Sequence, residues 1–269
     1  MSWTERQQQM LQAMGLRVWV SETAAPTATR PASPLPPVQA EPLALAQDRP
    51  VEAPRIAPLE PTRPAHIASL DWPALREAVA ACRACSLCES RTQTVFGVGH
   101  AQAHWMVVGE APGEQEDLEG EPFVGASGQL LDNMLRALSL TRSSEGDTPP
   151  ARRVYIANTL KCRPPRNRNP AAAEMAACEP FLKRQIELVR PRVILAMGRF
   201  AVQMLLDTQE PVGKLRAQVH RYQGVPLVVT YHPAYLLRNL ADKARAWEDL
   251  CLAAELMDAQ THHAKSERA

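Results

Sequence analysis

Val193-Ile194-Leu195-Ala196-Met197-Gly198, continued by Arg199-Phe200-Ala201-Val202-Gln203-Met204-Leu205-Leu206, decides the fold. An unbroken apolar run stopped by glycine suits a strand buried on both faces. The residues after the glycine carry a helical pattern. The same punctuation recurs outward along the chain. Trp105–Val108 ends at Gly109, Val154–Ala157 ends at Asn158, and Leu227–Thr230 precedes a second unusual loop. Helical patterns fill the gaps at Gly128–Leu138 and Pro170–Val189. A last helix is expected over Asp242–Met257, with Trp247, Leu250, Cys251, Ala254 and Met257 at helical spacing. Strand–helix alternation with continuous apolar strands predicts an α/β fold of three layers. It has a mostly parallel four-stranded central sheet with helices on both faces. Ligands then gather at the carboxyl ends of the strands.

The chain has 269 residues, 30 Lys+Arg against 29 Asp+Glu, and 45% hydrophobic residues. That composition excludes a wholly disordered chain, and no apolar run is long enough to span a bilayer. A net charge of +1 gives no global field for or against nucleic acid. Proline placement sets the organisation. Eleven of the 24 prolines lie between Pro26 and Pro64, and residues 21–70 hold no Phe, Trp, Tyr or Gly. Such a stretch buries too little apolar surface to offset its ordering entropy. Residues 21–69 are therefore expected to be a disordered Pro-rich linker. The folded domain is expected over 70–258, with 259–269 as a disordered tail.

Residues 1–20 form a separate element. Met10, Leu11, Met14 and Leu16 lie among polar residues, Gly15 could stop a helix, and Trp3 and Trp19 stand near its ends. It is either a frayed helix without a role or a tethered docking peptide for a replication or repair protein. Gln8–Trp19 also resembles the N-terminal peptide of the psi subunit of bacterial DNA polymerase III. Glu5, Arg6 and a Gln run stand where a signal peptide would be apolar. The expected compartment is the cytoplasm, the bacterial cytosol or nucleoid.

In that reducing compartment the six cysteines argue against disulfides. Cys82, Cys85 and Cys88 are spaced C-x2-C-x2-C, and Cys162 and Cys178 form a second, wider pair. Thiolates from two such segments could hold zinc or an iron–sulfur cluster, and the wide second spacing favours the cluster. Cys251 falls on the apolar face of the last helix and reads as core packing.

The loops after the strands carry the most specific pattern. Gly109-Glu110-Ala111-Pro112-Gly113 follows the first strand, with Glu116, Asp117, Pro122-Phe123-Val124-Gly125 and Ser127-Gly128-Gln129-Leu130-Leu131 behind it. Asn158-Thr159-Leu160-Lys161-Cys162-Arg163-Pro164-Pro165 follows the second, and His232-Pro233-Ala234-Tyr235-Leu236-Leu237-Arg238 the fourth. This ordered set, over about residues 80–255, resembles the family 4 uracil-DNA glycosylases, the iron–sulfur branch of their superfamily. The resemblance implies a monomeric uracil-DNA-glycosylase-like fold and hydrolysis of the N-glycosidic bond of uracil in DNA. It also implies a 4Fe–4S cluster on Cys82, Cys85, Cys162 and Cys178, with Cys88 where the family need not have a cysteine.

Base release requires a nucleotide flipped out of the stack. By the resemblance, Phe123 is the stacking wall, and the side-chain amide of Asn158 reads uracil N3–H and O4. His232 stabilises the departing anion. Glu110 sits where the superfamily places its water-handling group. Asp117 and Glu116 compete for that work. The backbone amides of Ala111 and Gly113 are further uracil contacts. Leu236 and Leu237 look like the wedge that fills the vacated stack, and Arg238 meets a phosphate. Residues 151–173 carry six basic residues and no acid. Arg163, Arg166 and Arg168 among them suit a phosphate track. The rival from another class is a non-enzymatic iron–sulfur DNA-binding or polymerase-accessory module. The superfamily's covalent uracil-binding type has a His in the loop matching Arg163–Pro170, and this chain has none.

Overall fold

The computed structural model describes residues 66–266, with side chains through Gln260. The docking-peptide reading of 1–20 and nearly all of the linker reading lie outside the described residues. Among the described residues six strands form one sheet: β1 (Val98–Gly99), β2 (Trp105–Gly109), β3 (Val154–Asn158), β4 (Val193–Met197), β5 (Val219–Tyr222) and β6 (Val225–Thr230). Their spatial order is β1-β3-β2-β4-β6-β5. The four strands expected from sequence are the central ones and run parallel. The sheet is thus larger than the four strands read from the sequence, because a short antiparallel strand closes each edge.

Among the described residues nine α-helices flank it: α1 (Trp72–Ala80), α2 (Leu87–Ser90), α3 (Glu114–Glu119), α4 (Gly125–Ala137), α5 (Ala172–Val189), α6 (Arg199–Leu206), α7 (Val212–Leu215), α8 (Pro233–Leu236) and α9 (Lys243–Ser266). Successive strand side chains point to opposite faces, so each central strand feeds two cores. Trp105, Val107, Ile156, Leu195 and Val228 pack with Leu131 and Leu135 of α4 and Leu250 of α9. Met106, Val108, Tyr155, Ile194 and Val229 pack with Leu182 and Ile186 of α5 and Val202 and Leu205 of α6. These are the three expected layers.

A third cluster joins α1, α2 and α5 through Ile67, Leu75, Val79, Leu87, Phe181, Cys162 and Cys178. Asp71 caps α1 by accepting the N–H of Ala74 at 3.0 Å, and Pro73 stands in the first turn, where its missing N–H is harmless. Ile67, just before the expected boundary at 70, is already buried in this cluster. The final helix continues to Ser266, into the segment expected to be a disordered tail, since nothing after Met257 breaks a helix. Among the described residues no helix is long and apolar enough to cross a membrane.

Candidate active site and cysteine cleft

β2 and β3 run side by side with Gly109 opposite Asn158, and β4 and β6 with Met197 opposite Thr230. The segments leaving these carboxyl ends therefore converge. They enclose a cavity of about 420 Å³ lined by Glu110, Ala111, Gly113, Phe123, Asn158, Arg168, His232 and Arg238. Glu116, Ser127, Asn167 and Asn169 also line it. Three segments far apart in sequence, after β2, β3 and β6, thus meet at one site.

Asn158 is buried, and its Oδ1 has no hydrogen-bond partner. An unsatisfied buried acceptor costs about 1–3 kcal/mol unless a ligand supplies the donor. The main-chain carbonyl of Asn158 accepts the Lys161 ammonium at 2.8 Å, which fixes the strand end. Gly109 must be glycine here: a Cβ would overlap Asn158 Oδ1 and stand 2.5 Å from the Phe123 ring.

The Phe123 ring stacks beside that of His232, centroids 5.2 Å apart at 27°. The Ala234 N–H donates to His232 Nδ1 at 3.2 Å, so a neutral ring carries its proton on Nε2. Burial, aided by the nearby Arg238 charge, pushes the His232 pKa down to about 4. Burial pushes Glu110 above the ordinary carboxylate range, and the Arg199 charge opposes the shift. The Glu110 main chain is pinned where its carbonyl accepts the Leu160 N–H at 3.1 Å.

Several expectations need correction. Asp117 is buried outside the cavity, and both its oxygens accept the Thr92 N–H, at 3.0 and 2.9 Å. It anchors a loop and touches no reacting atom. Glu116 does line the cavity, but its carboxylate accepts the Gly113 N–H at 3.1 Å. That bond also occupies the amide expected to contact uracil. Leu236 is fully buried in the core, whereas Leu237 is 41% exposed, so only Leu237 can serve as a wedge. Arg163 bonds Asn167 and faces Glu114 at 3.5 Å, outside the cavity. Arg166 is exposed and also outside it, a position that does not conflict with the phosphate track expected beside the pocket. Arg168 lines the cavity but spends its guanidinium on Glu174, at 2.9 and 2.6 Å.

Sequence reasoning missed Arg199 beside Glu110, although its place at the start of the helix after β4 was a usable signal. It also missed Arg142 and Asp132, which no local motif marks.

A second cleft is lined by Cys82, Cys85, Cys88, Cys162 and Cys178. Arg91 donates to Cys162 Sγ at 2.9 Å and to the carbonyls of Ala80 and Cys82. The Lys161 N–H donates to Cys178 Sγ at 3.3 Å. Burial raises the Cys162 thiol to about 11 and the Cys178 thiol to about 12, so without a cation these groups are protonated. Among the described residues no three such side chains surround a single point closely enough to hold one metal ion.

Comparison with known proteins agrees with this architecture. Residues 96–251 match the family model of the uracil DNA glycosylase superfamily. A type-4 uracil-DNA glycosylase of Archaeoglobus fulgidus is 41% identical over 59% of this chain and 79% of its own length. One from Thermotoga maritima is 41% identical over 63% and 84%, and one from Pyrobaculum aerophilum 39% identical over 68% and 93%. The chain belongs to the uracil-DNA glycosylase superfamily, in its type-4 branch.

Proposed function

We propose that this protein excises uracil from DNA, hydrolysing the N-glycosidic bond and leaving an abasic site for base excision repair. The observation that carries the reading is the buried, unpartnered Oδ1 of Asn158 in the same cavity as His232 and Phe123. That acceptor suits the N3–H of uracil, and the amide's N–H suits O4. Cytosine reverses the pattern. Phe123 stacks on the flipped base, worth about 1–3 kcal/mol. As the C1′–N1 bond stretches, negative charge grows on the base, and neutral His232 donates its Nε2–H to O2. Glu110 holds the water that adds to C1′ and stabilises the cationic sugar. Leu237 fills the vacated stack, and Arg238 contacts a phosphate at the rim. Ala111 adds main-chain contact to the base.

The cysteine cleft fits a 4Fe–4S cluster on Cys82, Cys85, Cys162 and Cys178. The thiols line one cleft from the Cys82–Cys88 segment, the loop after β3 and α5, and Cys162 and Cys178 receive guanidinium and N–H donors. When bound, it supplies a crosslink between the Cys82 segment and the arginine-bearing loop after β3. Cys88 is left as an additional thiol. Residues 1–20 are proposed as a docking peptide for a replication or repair protein on the linker 21–69. The enzyme is proposed to act as a monomer in the bacterial cytosol or nucleoid.

The test is strand cleavage of a single-uracil oligonucleotide by alkali after incubation with anaerobically purified brown protein. An abasic site at the uracil, lost in Asn158→Ala and His232→Ala, supports the reading. Intact DNA that is nonetheless bound by cluster-loaded protein overturns it in favour of a non-enzymatic DNA-binding module.

A further inference from the structure

Phe123 has the least favourable backbone in the cavity. Its φ is +54°, the left-handed region that a residue with a bulky side chain rarely adopts. Something outside the cavity must hold it there. We propose that Arg142, oriented by Asp132, is the positioning residue that fixes Phe123 as the stacking wall. This inference rests on the stacking role given to Phe123 above.

Arg142 lies beyond the end of α4 and does not line the cavity. Its Nη1 donates to the Pro122 carbonyl at 3.0 Å. Its Nη2 donates to the Phe123 carbonyl at 3.0 Å and reaches that of Gly128 at 3.5 Å. Its Nε donates at 2.7 Å to Oδ1 of Asp132 on α4. One planar guanidinium therefore ties the strained loop to the first turn of the following helix. The side chain of Arg142 is only 18% exposed. A Cβ at Gly128 would overlap the Phe123 carbonyl, so loop and helix are in direct contact at this point. Lysine could not replace the arrangement, since a single ammonium cannot present a flat fork to adjacent carbonyls and a carboxylate together. An exposed ion pair alone adds little stability. The worth of this cluster is geometric: it sets the plane in which the Phe123 ring meets the base.

The experiment is a double-mutant cycle on the full, cluster-loaded chain, reading single-turnover uracil release at saturating enzyme. Melting temperature and brown absorbance report folding. Arg142→Ala should slow release at least about tenfold, because small misplacements of a binding group cost that much or more. Arg142→Lys should fail to rescue. In a Phe123→Ala background the same Arg142→Ala change should cost less than about twofold, as expected for groups acting as one unit. Should Phe123→Ala slow release and the two losses multiply, the clamp is overturned while the stacking role stands. Should Phe123→Ala release uracil at the wild-type rate, the stacking role falls and the clamp with it. If Arg142→Ala does not fold, Asp132→Asn runs the same cycle and is judged by the same outcomes.

Discussion

The main-chain N–H of Ala234 points at Nδ1 of His232, 3.2 Å away, and so dictates which ring nitrogen keeps the proton. The same turn that begins α8 thus sets the tautomer of the group proposed to stabilise the anion. Burial lowers the ring's pKa to about 4, with the Arg238 charge acting in the same direction. A neutral imidazole with a fixed Nε2–H is a preorganised donor, needing no reorientation as charge develops on the base.

Nitrogen-resolved NMR should therefore show His232 as the neutral Nε2–H tautomer from pH 8 down to about pH 5, with protonation near 4. Protonation at pH 6 would contradict the role. Removing the donor in His232→Ala should reduce single-turnover release by about 10²–10³-fold, the usual loss for one oxyanion-type donor.

Glu110 should control the acid side of the pH profile. Its pKa is raised by burial, so as pH falls the carboxylate is protonated earlier than an ordinary glutamate, and the rate drops with it. Glu110→Gln should be slow and lack that limb. Arg199 lowers the Glu110 pKa, so Arg199→Gln should move the limb to higher pH. An unmoved limb in Arg199→Gln would separate the two groups.

Iron removal tests the cysteine cleft. Without a cation the buried thiols of Cys162 and Cys178 are protonated and nothing covalent joins their segments. Chelation should bleach the protein and lower its melting temperature, since metal binding free energy is folding free energy in such sites. Cys85→Ser should lose iron and colour. Cys88→Ser should keep four irons per chain, and loss of iron there would exchange the two assignments.

What the sequence made legible follows from burial. β2, β3, β4 and β6 are covered on both faces, so their apolar runs are unbroken and need no periodicity to be seen. The edges were not legible. β1 is two residues ending in glycine, and Val219–Tyr222 of β5 alternates exposed and half-buried positions with His and Arg inside it. In the site, residues beside strand ends could be assigned because topology brings strand ends together. Neighbours within one helical turn could not. Asp117 and Glu116 are adjacent on α3, yet one faces the Thr92 loop and the other the cavity. The Arg142 clamp was invisible, because its partners are carbonyls about twenty residues upstream, and a carbonyl leaves no trace in residue type.

Leu236 and Leu237 make the point experimentally. Leu236 is packed in the core, so Leu236→Ala should cost about 2–5 kcal/mol of stability through the cavity it leaves. Leu237 is exposed, so Leu237→Ala should leave the melting temperature within about a degree, a surface change being worth less than about 0.5 kcal/mol. Its cost should appear in uracil release from duplex DNA and nearly vanish on single strands, where no stack must be refilled. Equal losses on both substrates would remove Leu237 from the wedge role.

Asn158 gives the sharpest test of base choice. Its Oδ1 is buried without a partner, and it sits where only a glycine at 109 leaves it space. In Asn158→Asp the amide donor is replaced by a second acceptor, which faces uracil O4 with like charge. Uracil loses one hydrogen bond and gains a repulsion, while cytosine, whose exocyclic amine now finds an acceptor, gains a contact. Uracil release should fall by at least about 10²-fold, since unpaired buried polar groups are the strongest source of discrimination. The ratio of uracil to cytosine release should narrow at the same time. A slower enzyme with its preference intact would mean that another group reads the base.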